Sequence, residues 1–273
     1  MELERFYKAK LSEITALENG GAEKLKPWPL PRACFSEALR RHASGPLPVI
    51  AEFKKASPSR GRICDALEPE EAARQFADNG AAAISVLTEE TWFKGHISYL
   101  ERIACMMRER SEPPLPMLRK DFIFHPGQVA ATLSTPASAM LLIVRLIPDA
   151  KTLRDLREQA ERGGVECVVE VFSRRDVELA RKSGARIIQV NARDLETFKV
   201  DTRAALRFID ECPPENDELW IAASGITSND DLCAAANAGY HAALIGSALM
   251  EGCKPGMALS RMLGRLRDGD ASC

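Results

Sequence analysis

The segment PVIAEFKKASPSRG, residues 48–61, joins a short apolar run to a polar, glycine-ended turn. The run at 49–53 is mostly apolar without alternation, which predicts a strand buried on both faces, as in a parallel sheet. Glu52 and Lys54 are two residues apart, so on an extended chain they point to the same side. Charged side chains are rarely buried unless they form ion pairs or take part in catalysis or binding, so this strand end is a candidate functional site. The alternative is that these side chains form structural ion pairs, or that they reach solvent beyond the end of the strand.

Seven further apolar runs follow along the chain, separated by stretches with helical periodicity such as 70–79, 153–162, 174–183 and 228–238. This alternation predicts an α/β protein, and eight such units predict a (β/α)8 TIM barrel. An open doubly wound sheet is the rival, but its usual phosphate fingerprint, G-x-G-x-x-G after the first strand, is absent. The eight predicted strands are 49–53, 82–87, 116–119, 139–144, 166–171, 186–190, 219–222 and 242–245.

The chain before the first strand has a different pattern. Residues 3–17 have apolar side chains at helical spacing, and 35–41 predict a second short helix. The stretch 26–31, KPWPLP, is too rich in proline for a helix and predicts an extended connector. We therefore expect residues 1–46 to be an N-terminal helical extension covering the barrel mouth, and 47–273 to be the barrel, with a single domain overall.

The composition limits the kinds of partner. A formal net charge of −2 gives no broad positive field for nucleic acid, and no run approaches the roughly 20 apolar residues of a membrane span. The first residues lack the apolar core of a secretory signal. The eight cysteines form no Cys-x-x-Cys pair, and the four histidines do not join them at metal-ligand spacing. We expect reduced thiols, no metal, no nucleic-acid or membrane partner, and a cytoplasmic location.

Polar residues follow the predicted strands where a barrel would place its active site. Glu52, Lys54, Lys120 and Glu170, from three strands, should converge there. The last two strands end in Ser224-Gly225 and Gly246-Ser247. Loops after strands seven and eight commonly bind phosphate in such barrels, which favours a phosphate site over simple turn glycines.

The motifs resemble those of the indole-3-glycerol phosphate synthase family of tryptophan biosynthesis. The resemblance spans about residues 35–250, and its two most specific motifs are 50–61 and 118–122. The other matching segments are 84–89, 169–171, 191–195, 224–226 and 244–247.

The resemblance implies a reaction. The substrate would be 1-(2-carboxyphenylamino)-1-deoxyribulose 5-phosphate, and ring closure with loss of carbon dioxide and water would give indole-3-glycerol phosphate, without a cofactor. A monomer or weak homodimer, open to contacts with other pathway enzymes, is expected. The motif at 50–61 argues against a sister barrel such as phosphoribosylanthranilate isomerase.

The resemblance also implies roles for individual residues. Lys120 would be the acid at the sugar carbonyl and Glu170 the base in dehydration, while Lys54 would bind the substrate carboxylate or phosphate or act as acid in the second step. Glu52 would orient the lysines. Asn191 would bond to polar substrate groups, and Arg193 would bind the carboxylate or brace its loop. The implied ring-binding residues are Phe93, Phe122 and Leu195, and the implied phosphate-binding residues are Ser57, Ser224, Gly225, Gly246 and Ser247.

The chain departs from the family pattern at Ala223, where the family usually carries glutamate before Ser-Gly-Ile. Three interpretations are open: an enzyme of reduced efficiency, compensation by Glu52 or Glu89, or a variant reaction. A non-catalytic barrel that only binds phosphate ligands or serves in assembly is the corresponding alternative function. Ala192 and residues 125–127 also differ, at positions expected to be peripheral.

Overall fold

A closed barrel of parallel strands forms the centre of the protein in the computed structural model, which describes residues 2–40, 45–194, 197 and 199–266. The eight strands of the barrel are β1 Val49–Phe53, β2 Ala83–Leu87, β3 Met117–Lys120, β4 Ala139–Ile143, β5 Glu166–Val171, β6 Ile187–Asn191, β7 Leu219–Ala223 and β8 Ala242–Ile245. Within the described residues they pair in the order β1-β8-β7-β6-β5-β4-β3-β2 and back to β1. The predicted (β/α)8 barrel is thereby confirmed.

The barrel closes where the first strand meets the last. Val49 pairs with Ala243 and Ala51 with Ile245, while Glu52 on the other side of β1 pairs with Ser85 of β2. The observed strand ends differ from the predicted ones by one residue at most. Strand β3 includes Lys120, and strand β6 includes Asn191, so both side chains are held by the barrel itself rather than by a loop.

Helices surround the barrel and cover the outward faces of the strands. Several helices begin at residues that favour a helix start. Ser228 and Asp231 form a capping box, and the side chains of Ser173 and Asp149 accept backbone N–H groups at the starts of two other helices. Pro69 occupies the first turn of another helix. The helices are α1 Glu2–Ala16, α2 Phe35–Arg40, α3 Pro69–Asp78, α4 Ser98–Arg108, α5 Pro126–Leu133, α6 Ala150–Arg162, α7 Arg174–Ser183, α8 Thr202–Glu211, α9 Asn229–Ala238, α10 Ser247–Met250 and α11 Pro255–Met262.

The two N-terminal helices contact opposite ends of the barrel. Phe35 and Leu39 of α2 are buried in the same apolar cluster as Ala139 and Leu219, which begin their strands, and the Phe35 N–H donates to Glu166 at 2.6 Å. Phe6 of α1 is 1% exposed and packs at the carboxyl ends of the strands, against the predicted site. The buried side chains of α1 and α2 therefore close the apolar interior from both sides.

A disulfide joins Cys64 and Cys253, so the prediction of reduced thiols throughout is wrong for this pair. Cys64 follows the β-hairpin after β1, and Cys253 follows α10 after β8. The two residues are 189 apart in sequence, yet their Cα atoms lie 5.7 Å apart because barrel closure makes the first and last loops neighbours. In the described chain Cys34, Cys105, Cys167, Cys212 and Cys233 are free thiols.

No helix among the described residues combines the length and the apolar character that crossing a bilayer requires.

Candidate active site

A cavity opens at the carboxyl ends of the strands. It is lined by predicted site residues from four of the eight strands and from the loops that follow the strands, a concave arrangement typical of a small-molecule site. Gly225 and Gly246 lie next to lining residues, whereas Leu195 falls outside the described residues. The predicted residues on the cavity wall are Glu52, Lys54, Ser57, Phe93, Lys120, Phe122, Glu170, Asn191, Arg193, Ser224 and Ser247.

Glu52 lies between the two lysines and offers one carboxylate oxygen to each. Its Oε1 is 3.0 Å from Lys54 Nζ and its Oε2 is 3.9 Å from Lys120 Nζ, while the Ser85 hydroxyl is 3.4 Å from Oε2. Burial alone would raise the pKa of Glu52, but the ammonium groups of Lys54 and Lys120 outweigh burial and lower it. The carboxylate is therefore ionised at neutral pH and lies between the two lysine side chains.

Glu170 has a different neighbour. It is 1% exposed and faces Gln189, its register partner on β6, whose side-chain amide donates to Glu170 Oε2. Neither lysine comes within ion-pair distance of it among the described residues. The site thus contains one carboxylate bound to the lysines and a second carboxylate held apart from them.

The serines and glycines after β7 and β8 gather beside Ser57. The Ser57 hydroxyl is buried and has no hydrogen-bond partner among the described residues, so it is free to bind a ligand. Ser224 and Gly225 both have positive φ, at 69° and 81°, a conformation that is costly for serine and is typical of functional sites. Helix α10 begins at Ser247, and its first backbone N–H groups have no helical acceptor, which makes this corner suitable for an anion.

Gly246 is required for a reason that the sequence did not reveal. A Cβ atom at this position would clash with Glu52 Oε1 and would lie 2.9 Å from Lys54 Nζ. The absence of a side chain therefore lets the Glu52–Lys54 pair approach the backbone of β8. It also places Lys54 beside the carboxyl end of β8, next to Ser247.

Aromatic rings form the opposite wall. Phe122 stacks on Phe6 of α1 with ring centroids 4.3 Å apart, and Phe93 lies 6.2 Å from Phe122. The Glu89 carboxylate accepts the backbone N–H groups of Thr91, Trp92 and Phe93 and so fixes the loop that carries Phe93. These rings could hold a planar apolar group.

Asn191 is the last residue of β6, and Arg193 lies in the loop that follows it. The Asn191 side chain accepts the backbone N–H of Arg193 at 3.0 Å, and the Arg193 guanidinium is 3.4 Å from the Ser59 hydroxyl. Burial and repulsion from Arg60 lower the pKa of Arg193, against the opposing attraction of Glu52. Arg193 remains a cation at neutral pH and faces the cavity, which suits an anionic ligand.

Asp121, next to Lys120, points away from the lysines into a buried ionic network. Its carboxylate lies 2.6 Å from Lys10 Nζ of α1, 3.0 Å from the Arg119 guanidinium and 2.6 Å from the Thr88 hydroxyl. Burial opposes ionisation, but Arg119 and Lys10 prevail and lower the pKa of Asp121 to about 2. The network ties α1 to the end of the strand that carries Lys120.

Ala223 lies 4% exposed on the cavity wall, paired with Asn191 and Leu244. Of the two carboxylates expected to compensate for the absent glutamate, Glu52 contacts both lysines, whereas Glu89 is occupied by three backbone N–H groups. The geometry therefore supports compensation by Glu52 and not by Glu89.

Three residues near the site were not singled out from the sequence: Phe6, Lys10 and Gln189. The sequence indicates only that Phe6 is on the apolar face of the first helix. It does not indicate which part of the protein this face contacts. The signal for Gln189 was a polar residue within an otherwise apolar strand. No group of three His, Cys, Asp or Glu side chains that could hold a metal ion occurs in the described ranges.

Comparison with known proteins identifies the family. The sequence profile described as indole-3-glycerol phosphate synthase matches residues 3–262. The chain belongs to the indole-3-glycerol phosphate synthase family. The protein of that name from Carboxydothermus hydrogenoformans is 41% identical over 242 residues, covering 89% of each chain. The one from Chloroherpeton thalassium is 41% identical over 255 residues, covering 91% of this chain and 94% of the relative.

Solved structures with much lower sequence identity share the fold. A 3-hexulose-6-phosphate synthase superposes with a TM-score of 0.62 at 14% identity, covering 81% of this chain and 100% of that chain. A thiamine phosphate pyrophosphorylase from Pyrococcus furiosus gives 0.56 at 18% identity, covering 80% and 95%. Family membership confirms the predicted indole-3-glycerol phosphate synthase function, that of a decarboxylating carbon–carbon lyase in tryptophan biosynthesis.

Proposed function

We propose that the cavity binds 1-(2-carboxyphenylamino)-1-deoxyribulose 5-phosphate and closes its pyrrole ring with loss of carbon dioxide and water. The observation that carries this proposal is Glu52 placed between Lys54 and Lys120, with a separate buried carboxylate, Glu170, on the same wall. Such a site supplies both a charged acid and a base without further groups.

Two anchors hold the substrate at its ends. The phosphate binds among Ser57, Ser224, Gly225, Gly246 and Ser247, where an unpaired buried hydroxyl and the start of α10 favour an anion. The anthranilate ring lies against Phe93 and Phe122, with Leu195 assigned to the same subsite from the family motif. Arg193 pairs with the ring carboxylate, and Asn191 bonds to polar groups of the sugar. Binding at both ends brings the arene carbon and the sugar carbonyl together.

Lys120 acts as the acid in ring closure. Its ammonium group, 3.9 Å from Glu52 Oε2, donates a proton to the carbonyl oxygen as the arene carbon attacks. Carbon dioxide then leaves from the same ring carbon, and its bonding electrons restore the aromatic ring. An ammonium that stays charged inside a partly desolvated pocket stabilises the developing alkoxide strongly.

Glu170 acts as the base in dehydration. It removes a proton while hydroxide leaves with a proton supplied by a lysine, and its distance from both lysines leaves its carboxylate available for this step. Lys54 lies beside Gly246 at the phosphate end. This position favours contact with the phosphate or the sugar oxygens, from which it also serves as the second acid.

The direct test is turnover by the purified protein, measured as the appearance of indole absorbance and fluorescence. Lys120→Met should reduce kcat by about 10²- to 10⁴-fold, the usual contribution of a general acid. The matched control is Lys55→Met, since Lys55 follows Lys54 but pairs with Glu68 at 3.2 Å, away from the cavity lining. Folded protein that binds phosphate ligands without any turnover would establish the non-catalytic alternative suggested by Ala223.

We further propose that residues 1–46 form an extension whose first helix covers the mouth of a barrel comprising 47–273. The contacts of Phe6 and Lys10 with the loop after β3 support this division. A monomer or weak homodimer in the cytoplasm, open to contacts with other enzymes of the pathway, completes the proposal. Light scattering across a range of concentrations tests the oligomeric state.

A further inference from the structure

Gln189 is a fully buried polar residue in an apolar part of the barrel interior. It lies on β6 between Ile187 and Asn191, and its register partners on the adjoining strands are Glu170 and Ile221. Its amide nitrogen donates to Glu170 Oε2, whereas its own Oε1 has no hydrogen-bond partner among the described residues. Gln189 is not part of the cavity wall, so it reaches the substrate only through Glu170.

The amide faces Glu170 with its NH₂ group, which donates to the carboxylate oxygen Oε2. This orientation leaves Oε1 buried without a donor. The glutamine thus gives the buried Glu170 carboxylate a donor at the cost of one unpaired buried oxygen, which an apolar side chain of similar size would not have.

Glu170 depends on this contact for its position. Among the described residues it makes no other side-chain hydrogen bond and no ion pair, because Glu52 takes both lysines. A glutamate side chain has several rotatable bonds and loses its orientation when it has no partner. The Gln189 amide is therefore the contact that selects one placement of the carboxylate.

We propose that Gln189 is a positioning residue that fixes the Glu170 carboxylate for proton removal in the dehydration step. This inference rests on the role proposed for Glu170. It assigns Gln189 no contact with substrate, and it predicts an effect on turnover without a matching effect on binding or stability.

The test is Gln189→Met, with Gln189→Leu as a second apolar variant. We expect kcat to fall about 10- to 100-fold, the scale of a small misplacement of a reacting group, with KM changed less than about threefold. The melting temperature should change little, because the loss of the donor to the buried Glu170 carboxylate opposes the gain from removing the unpaired oxygen.

The matched control is Gln75→Met. Gln75 also donates to a glutamate, Glu71, at 2.8 Å, but on helix α3 outside the barrel. This variant should leave kcat unchanged. A second comparison introduces Gln189→Met into Glu170→Asp, whose shorter side chain no longer meets the amide; no additional loss of kcat is expected there.

Three results would overturn the inference. The first is a kcat of Gln189→Met within about twofold of the wild type. The second is a loss of kcat from Gln189→Met that is as large in the Glu170→Asp background as in the wild type, and the third is failure of both apolar variants to fold. These results are distinct from a failure of the proposed function. A wild-type protein without turnover rejects the Glu170 role and this inference together, whereas an active wild type with an equally active Gln189→Met variant rejects only the inference.

Discussion

Lys10 Nζ lies 2.6 Å from Asp121 Oδ1, and this buried contact joins the first helix of the chain to the residue directly after Lys120. Asp121 also binds Arg119 and Thr88 and is 4% exposed. The position of α1 and the end of strand β3 are therefore set by one carboxylate. A change at Asp121 should affect both the stability of the protein and the closure of its active site.

Asp121→Asn should lower the free energy of unfolding by about 3–5 kcal/mol, because it leaves Lys10 and Arg119 buried with one charge partner fewer. Urea denaturation at pH 7 measures this loss. The control is Asp155→Asn, which removes an exposed pair with Lys151 and should change the unfolding free energy far less, because solvent screens that pair. Equal effects of the two substitutions would contradict the role assigned to the buried network.

The same residue predicts a dependence of stability on pH. The pKa of Asp121 is lowered from 3.8 to about 2, so its contribution is fully present above pH 3.8 and is lost as the pH falls towards 2. The contribution is on the order of 2 kcal/mol. Asp121→Asn should therefore reduce the drop in unfolding free energy between pH 5 and pH 2, measured by denaturant titration at each pH. An unchanged drop would assign the acid sensitivity to other groups.

Ser57→Ala should separate stability from ligand binding. The buried Ser57 hydroxyl is unpaired within the described chain, so its removal should raise the unfolding free energy by up to about 1 kcal/mol. Affinity for inorganic phosphate should fall about tenfold, measured by calorimetry. Ser134→Ala serves as the comparison, because its hydroxyl already bonds to the Ala131 carbonyl at 2.8 Å and should not affect phosphate binding. Unaltered phosphate affinity in Ser57→Ala would remove Ser57 from the phosphate site.

Phe6→Ala should raise KM about tenfold or more, because it removes a ring that stacks on Phe122 and lines the cavity. The neighbouring Tyr7→Ala is the matched variant. Tyr7 stacks on Phe124 with centroids 4.6 Å apart, is 45% exposed and lies outside the cavity lining. Steady-state kinetics should therefore show little change in KM for Tyr7→Ala. The same increase in both variants would mean that docking of α1, and not the Phe6 ring, controls substrate affinity.

Ala223→Glu should change kcat by no more than about threefold, because Glu52 already pairs with Lys54 and Lys120 and holds them in place. Ala223→Gln, of similar size but neutral, separates the effect of charge from that of volume. The kcat of each variant is measured from the appearance of indole fluorescence. A gain well above tenfold with glutamate alone would show that the present site is impaired rather than compensated.

The sequence predicted the barrel well because its strands are short, continuously apolar runs and its site residues follow them directly. Glu52, Lys54, Lys120 and Glu170 could be assigned to one cavity from position alone, because parallel strands bring their carboxyl ends together. The Cys64–Cys253 bond and the contact of Phe6 with Phe122 join residues far apart in sequence. Local patterns contain no information on which distant partners meet, so these contacts required the folded structure.

The disulfide gives the chain a second kind of closure. The strands close into a cylinder through hydrogen bonds between β1 and β8, and the bond from Cys64 to Cys253 turns the polypeptide between them into a covalent ring. A single cut by a protease anywhere in this ring leaves the two fragments attached to each other. Oxidation of these thiols thus makes the loop beside Ser57 and the loop after Ser247 inseparable, even when the barrel between them unfolds.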